Sequence, residues 1–123
     1  MSKIQEFLKN QEKSVMSTVE GKTIIDYFNN NAEEVPEYPA LNTPINSEYT
    51  GWDSVSWSAY RETVHNLASG LIDIGLQAED NAFIVANNVK EHFICDLGIM
   101  HAGGVPSTIY KQLKSGQIEY ISN

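Results

Sequence analysis

A chain of 123 residues with 41% hydrophobic side chains holds about one domain's worth of material, enough for a packed core. Sixteen acidic side chains face eight basic ones, for a net charge of −8 at pH 7. Between Thr23 and Val89, Arg61 alone stands against ten carboxylates; such a surface repels phosphate backbones, which argues against nucleic acid as a partner and reads most simply as a solvated acidic face.

Residues 1–22 form a polar leader, read as helical or disordered. Ile4, Phe7 and Leu8 make a short apolar stripe that fades after them, and the mixture of Lys3, Glu6 and Lys9 with apolar residues is unlike the core of a signal peptide. Residues 23–123 are read as one partial domain. Thr23 caps a first helix, with Asp26 three positions on to complete a capping box. Ile24, Ile25, Tyr27 and Phe28 supply its buried face, and Pro36 ends it. Tyr38 to Asn46 and Tyr49 to Trp57 read as two short strands around an Asn46-Ser47-Glu48 turn, with a bulge expected near Asp53.

Ser56 or Ser58 caps the strongest helix. Tyr60, Val64, Leu67, Ala68, Leu71 and Ile74 follow one stripe of period 3.6, and Gly75 sits where a helix needs a left-handed residue to stop. Gly70, inside that helix, costs about 1 kcal/mol relative to Ala, and close approach of a neighbouring backbone is its expected compensation. Ala82 to Ala86 is a continuous apolar run, the pattern of a strand covered on both faces. Asn88 then caps a second long helix, with Glu91 three positions on. Its inner stripe is Phe93, Leu97 and Met100, with Ile94 and His101 beside it. Gly103-Gly104 stops it before a strand from Val105 to Tyr110. Strand, helix and strand over about 29 residues is the size of a βαβ unit. Ser115 caps a last short helix bearing Ile118 and Ile121. The apolar stretch from Leu97 to Tyr110 is shorter than the roughly 20 residues a bilayer requires, so no transmembrane segment is expected.

Chemistry is scarce. The turn Asn87-Asn88-Val89 lacks the glycines of a dinucleotide fingerprint. Gly103-Gly104-Val105-Pro106-Ser107-Thr108 lacks the lysine of a phosphate loop and enters a strand, so it reads as a helix stop. His65 lies on the polar side of its helix. His92 and His101 are nine residues apart, about half a turn out of phase, and cannot share a metal. Cys95, the single cysteine, excludes an internal disulfide, fits a reducing cytoplasm, and reads as a small buried hydrophobe. Glu33-Glu34 and Glu79-Asp80 read as solvated turn charges, and Trp52 and Trp57 as packing residues. No residue is assigned a catalytic, cofactor-binding or metal-binding role.

The order of these residues resembles the opening of the AMP-forming acyl-CoA synthetases, most of all the long-chain fatty acid–CoA ligases. The resemblance is carried by Pro39-Ala40-Leu41, Ser56-Trp57-Ser58-Ala59-Tyr60, Leu67-Ala68-Ser69-Gly70-Leu71 and Gly75-Leu76. It continues through Asn88-Val89-Lys90-Glu91-His92-Phe93, Asp96-Leu97-Gly98, Ala102-Gly103-Gly104-Val105-Pro106-Ser107-Thr108-Ile109-Tyr110 and the later Gln117, Ile118, Tyr120 and Ile121. Two positions depart from the family pattern: Glu79 stands where a glycine is usual, and His92 where tryptophan is common. The resemblance implies an α/β fold, the N-terminal part of the large domain of an adenylate-forming enzyme: a short β-hairpin, a long helix and a parallel βαβ unit. For the parent enzyme it implies ATP, magnesium and coenzyme A, a fatty acid as substrate, and a cytoplasmic or peripheral membrane location. The family's phosphate loop, ribose-binding acid and catalytic lysine lie beyond the matched segment, so the chain alone is expected to be inactive. Its open sheet edges would be covered by the rest of the parent or by a homo-oligomer partner. The alternative is a stand-alone interaction or dimerisation module without catalysis.

Overall fold

The computed structural model describes residues 2–122. Helix α1 (Lys3–Val19) opens with Ser2 accepting from the Gln5 amide, while Gln5 Oε1 accepts from the Ser2 amide. The leader is therefore helical. Its apolar stripe does not fade: Val15, Met16 and Val19 extend the line of Ile4, Phe7 and Leu8, and all six are exposed. After Gly21, held at φ +71°, Thr23 caps α2 (Ile24–Glu34) with the expected reciprocal pair of bonds to Asp26. Its buried residues are Phe28 and Ala32. Ile24 and Tyr27 are exposed, contrary to the expected buried face, because only the stripe one turn apart at 28 and 32 meets the next helix.

Strands β1 (Pro39–Pro44) and β2 (Trp52–Ser56) pair antiparallel, Asn42 opposite Ser54 and Thr43 opposite Asp53. The irregularity falls between Pro39 and Leu41 rather than near Asp53, since a proline cannot donate to the ladder. Trp57, expected at the end of the second strand, is instead the first residue of α3 (Trp57–Asp73), and Ser56 Oγ accepts from the Ala59 amide at 3.3 Å as its cap. Tyr60, Val64 and Ala68 are buried, Leu67 and Leu71 half-buried, and Ile74 is exposed beyond the helix end. Gly75 adopts φ +107°, the left-handed stop expected of it.

Strand β3 (Asn81–Ile84) runs parallel to β4 (Val105–Thr108), with Asn81 opposite Val105 and Ile84 opposite Thr108. Between them lies α4 (Lys90–His101). The cap of α4 is Val89, not Asn88, and no side chain bonds there. Phe93, expected on the inner stripe, is exposed, whereas Leu97, Gly98 and Ile99 are buried in succession. Three consecutive buried residues mark a helix covered from more than one side, by α3 on one flank and the β3–β4 sheet on another. Gly104, just past its end, leaves room for Ile99, Leu76 and the Asp80 carbonyl, each of which would stand 3.0–3.2 Å from a Cβ placed there. The apolar run of β3 is covered on one face only. Ile84 is buried, but Phe83 is 40% and Val85 61% exposed. The last helix, α5 (Ser115–Ser122), opens at Ser115 itself, and the Lys114 amide donates to Gln117 Oε1 at 3.0 Å in place of the expected serine cap.

The core is a cluster of Phe28, Tyr60, Val64 and Leu97, sealed by Trp57 and Leu41 among others. Phe28 is its aromatic hub. It meets Tyr60 edge-on at 5.0 Å and Trp57 at 6.0 Å between ring centroids, separations at which such pairs attract.

Candidate functional site

Three places bring chemistry-bearing side chains together. The first is an open cleft of about 330 Å³ where α2, β1, α3 and α4 converge. Its walls are apolar, with Ile24, Phe28, Ala40, Trp57 and Phe93 among them, and Tyr60 and Asp96 give it polar character. Burial and, secondarily, the Asp96 carboxylate push the Tyr60 phenol up to about 12. At neutral pH that hydroxyl is a hydrogen-bond donor and not a base.

The second lies at the carboxyl ends of β3 and β4, the edge at which parallel sheets gather ligands. A hollow of about 250 Å³ there is lined by Asn87, Asn88, His92, Thr108, Lys111 and Gln112. His92 Nε2 lies 3.1 Å from Thr108 Oγ1. The turn entering α4 contains no glycine, and the hollow has no clustered backbone amides on a glycine-rich loop to grip a phosphate.

The third is a histidine contact that sequence spacing did not reveal. His92 and His101 are indeed apart, each with its own partner: Thr108 for the first, and for the second the Leu97 carbonyl, which accepts from Nδ1 at 2.8 Å. His101 packs instead against His65, from the neighbouring helix, in a tilted contact at 5.1 Å between centroids, and meets Phe28 edge-on at 5.4 Å. Because Nδ1 carries the proton, Nε2 is left as an acceptor, buried and without a hydrogen-bond partner. Burial, then His101 and Arg61, lower the pKa of His65.

The remaining candidates resolve into framework. Cys95 is half-buried, in an apolar trough beside Leu67, Leu71 and Ile99. Glu33-Glu34 ends α2 rather than lying in a turn, and Glu33 pairs with Arg61 at 3.5 Å. Asp80 accepts from the Gln77 amide at 2.8 Å and so organises its own turn. Trp57 packs in the core, while Trp52 is exposed on the hairpin beside Tyr49. Lys90 Nζ bridges α4 to β2 through Asp53 at 2.9 Å. Among the described residues no three His, Cys, Asp or Glu side chains converge as a metal site would require, and no helix is long and apolar enough to cross a membrane.

The family profile described as AMP-binding enzyme matches residues 28–123. The chain belongs to the AMP-binding enzyme family. Among its relatives it is 27% identical over 114 residues to the long-chain-fatty-acid–CoA ligase heimdall of Drosophila melanogaster, covering 91% of this chain and 17% of that one. It is 31% identical over 99 residues to the mouse long-chain-fatty-acid–CoA ligase ACSBG2, covering 80% and 14%. The chain thus spans less than a fifth of either ligase. The fold is shared with the fatty acid AMP ligase of Legionella pneumophila (TM-score 0.67, 14% identity, 80% of this chain and 17% of that one). It is shared too with a putative long-chain-fatty-acid CoA ligase of Rhodopseudomonas palustris (TM-score 0.70, 19% identity, 84% and 24%). The α/β architecture read from the sequence, hairpin then long helix then parallel βαβ unit, is that of the N-terminal part of adenylate-forming enzymes, and the likeness is to part of a larger enzyme.

Proposed function

We propose that this chain is framework from a long-chain fatty acid–CoA ligase. The parent reaction would join a fatty acid carboxylate to the AMP moiety of ATP with release of pyrophosphate, aided by magnesium, after which coenzyme A displaces AMP. The observation that supports this reading is the family match over residues 28–123 together with fatty-acid ligases among the relatives. The residues here contribute architecture. Neither the Asn87-Asn88-Val89 turn nor the Gly103-Gly104 stop has the elements of a phosphate grip, so none is assigned to ATP, magnesium or coenzyme A. A cytoplasmic location and a place in lipid metabolism follow from the same reading.

The test is direct. Purified chain incubated with ATP, magnesium, palmitate and coenzyme A is expected to release no AMP above background. Sustained AMP formation would show that this framework holds a complete active site and would overturn the proposal of inactivity.

A further inference from the structure

Tyr60 and Asp96 reach the open cleft of about 330 Å³ from neighbouring helices. Helix α3 presents Trp57 and Tyr60 to it, one turn apart, and α4 presents Phe93, Asp96 and Leu97, again from one face. Tyr60 is only 5% exposed, yet its hydroxyl makes no hydrogen bond with the described residues. Asp96 is half-buried. Among the described residues it takes part in no hydrogen bond and in neither ion pair, Arg61 with Glu33 or Lys90 with Asp53. The cleft thus holds a phenol and a carboxylate, both without partners, against walls that are mostly apolar.

Charge decides what can fill it. An occupant that covers Asp96 without pairing it takes a charge out of water uncompensated, and a second carboxylate adds repulsion to that cost. A cation removes both penalties. The aromatic residues add to the same preference. Phe28, Trp57 and Tyr60 form a cluster with ring centroids 5.0, 6.0 and 6.2 Å apart, and an ammonium group close to such rings is attracted by their negative faces. The field of the body has the same sign. Residues 23–123 carry four basic against thirteen acidic groups, a net of −9, which draws a cation in and turns an anion away. The volume lies at the lower end of the range for small-ligand sites, about 300–1,000 Å³, which suits one ring or a short branched chain with its amine.

We infer that this cleft is a binding site for a small amine with an aromatic or branched aliphatic body. The ammonium group donates to the Asp96 carboxylate in a charge-assisted hydrogen bond, and the apolar body lies against Phe28, Trp57 and Phe93. The Tyr60 hydroxyl, able both to donate and to accept, completes the polar end of the site. The inference does not rest on the proposed reaction.

The test is calorimetric titration of the full chain at neutral pH with 2-phenylethylamine, beside 2-phenylethanol and 3-phenylpropionate, which keep the ring and replace the cation by a neutral group and by an anion. The amine is expected to bind saturably at one site and at least tenfold more tightly than either analogue. Asp96→Asn keeps the size of the side chain and is expected to weaken the amine at least tenfold. Phe93→Ala, at the exposed rim, is expected to weaken it threefold or more. Absence of saturable amine binding, equal affinity for the alcohol, or an unchanged affinity in Asp96→Asn overturns the inference. So does a dimer in light scattering that the amine converts to monomer, since a lysine of a second copy would then be the occupant.

Discussion

Gly98 on α4 faces Leu67 on α3 so closely that a Cβ at position 98 would stand 2.7 Å from Leu67 Cδ2 and 2.9 Å from its Cγ. Real Cβ atoms do not approach that closely, so the missing side chain sets how near the two helices lie. Gly98→Ala is expected to destabilise the chain by about 1–2 kcal/mol. Overpacking costs about 1–3 kcal/mol, and the better helix propensity of alanine returns up to about 1 kcal/mol. Leu67→Ala opens a cavity and also destabilises, but the double variant is expected to cost less than the sum of the two. Urea unfolding of all four proteins checks it, and simple additivity would contradict the contact.

Glu79 sits at φ +70°, a left-handed conformation uncommon for any residue but glycine. Its amide donates to the Gly103 carbonyl at 2.8 Å, which ties the turn before β3 to the stop after α4 and holds the backbone in place. The backbone geometry at this position is one that favours glycine. Glu79→Gly is expected to raise stability by about 1 kcal/mol, since a non-glycine residue pays roughly 1–2 kcal/mol there and part is returned as chain entropy. Glu79→Ala, which keeps the Cβ, should give no gain. Thermal melts of the two variants separate backbone conformation from the loss of a charge.

The cap of α2 is expected to respond to acid. The Thr23 amide and then its hydroxyl hold the Asp26 carboxyl below its usual value. A depressed carboxylate stabilises the fold above its unfolded pKa of 3.8, and this contribution is lost as the pH falls through the folded value. Thr23→Ala should cost about 1 kcal/mol at neutral pH. The difference between Thr23→Ala and wild type should shrink below pH 4, as chemical denaturation across pH would show.

The histidine contact gives a second pH dependence at a higher window. Because the His65 pKa lies below 6.5 in the folded chain, the unfolded chain binds more protons between the two values. Stability from this site is complete above 6.5 and declines as the pH falls toward the folded pKa. His65→Gln is expected to flatten the change in melting temperature between pH 7.5 and 5.5. An unchanged slope would remove His65 from the account.

What the sequence disclosed and what it withheld divide by the range of the interaction. The Thr23 box, the Ser56 cap and the stops at Gly75 and Gly103 depend on residues a few positions apart, and their chemistry is written in consecutive letters. Gly70 and Gly98 look alike as letters. A neighbour presses on Gly98, while nothing lies within 4 Å of the Cβ position of Gly70, and that is decided by how α3 and α4 meet. The β3 run has the composition of a strand covered on both sides, yet Phe83 and Val85 face outward. The pairing of His65 with His101 was equally hidden, since the two lie on different helices thirty-six positions apart.

Gly21, at φ +71° with open space around it, separates two parts of unequal cooperativity. Among the described residues that joint is crossed by the Tyr27 hydroxyl donating to the Thr18 carbonyl and by the Lys22 amide donating to the Val19 carbonyl, and α1 packs against no other helix or strand, so its melting need not propagate into the Phe28–Tyr60–Val64–Leu97 cluster, nor the reverse. Helical circular dichroism and the fluorescence of Trp52 and Trp57, both on the far side of Gly21 from α1, would then report separate transitions, and trypsin acting after Lys22 would release a body that still melts where the full chain does.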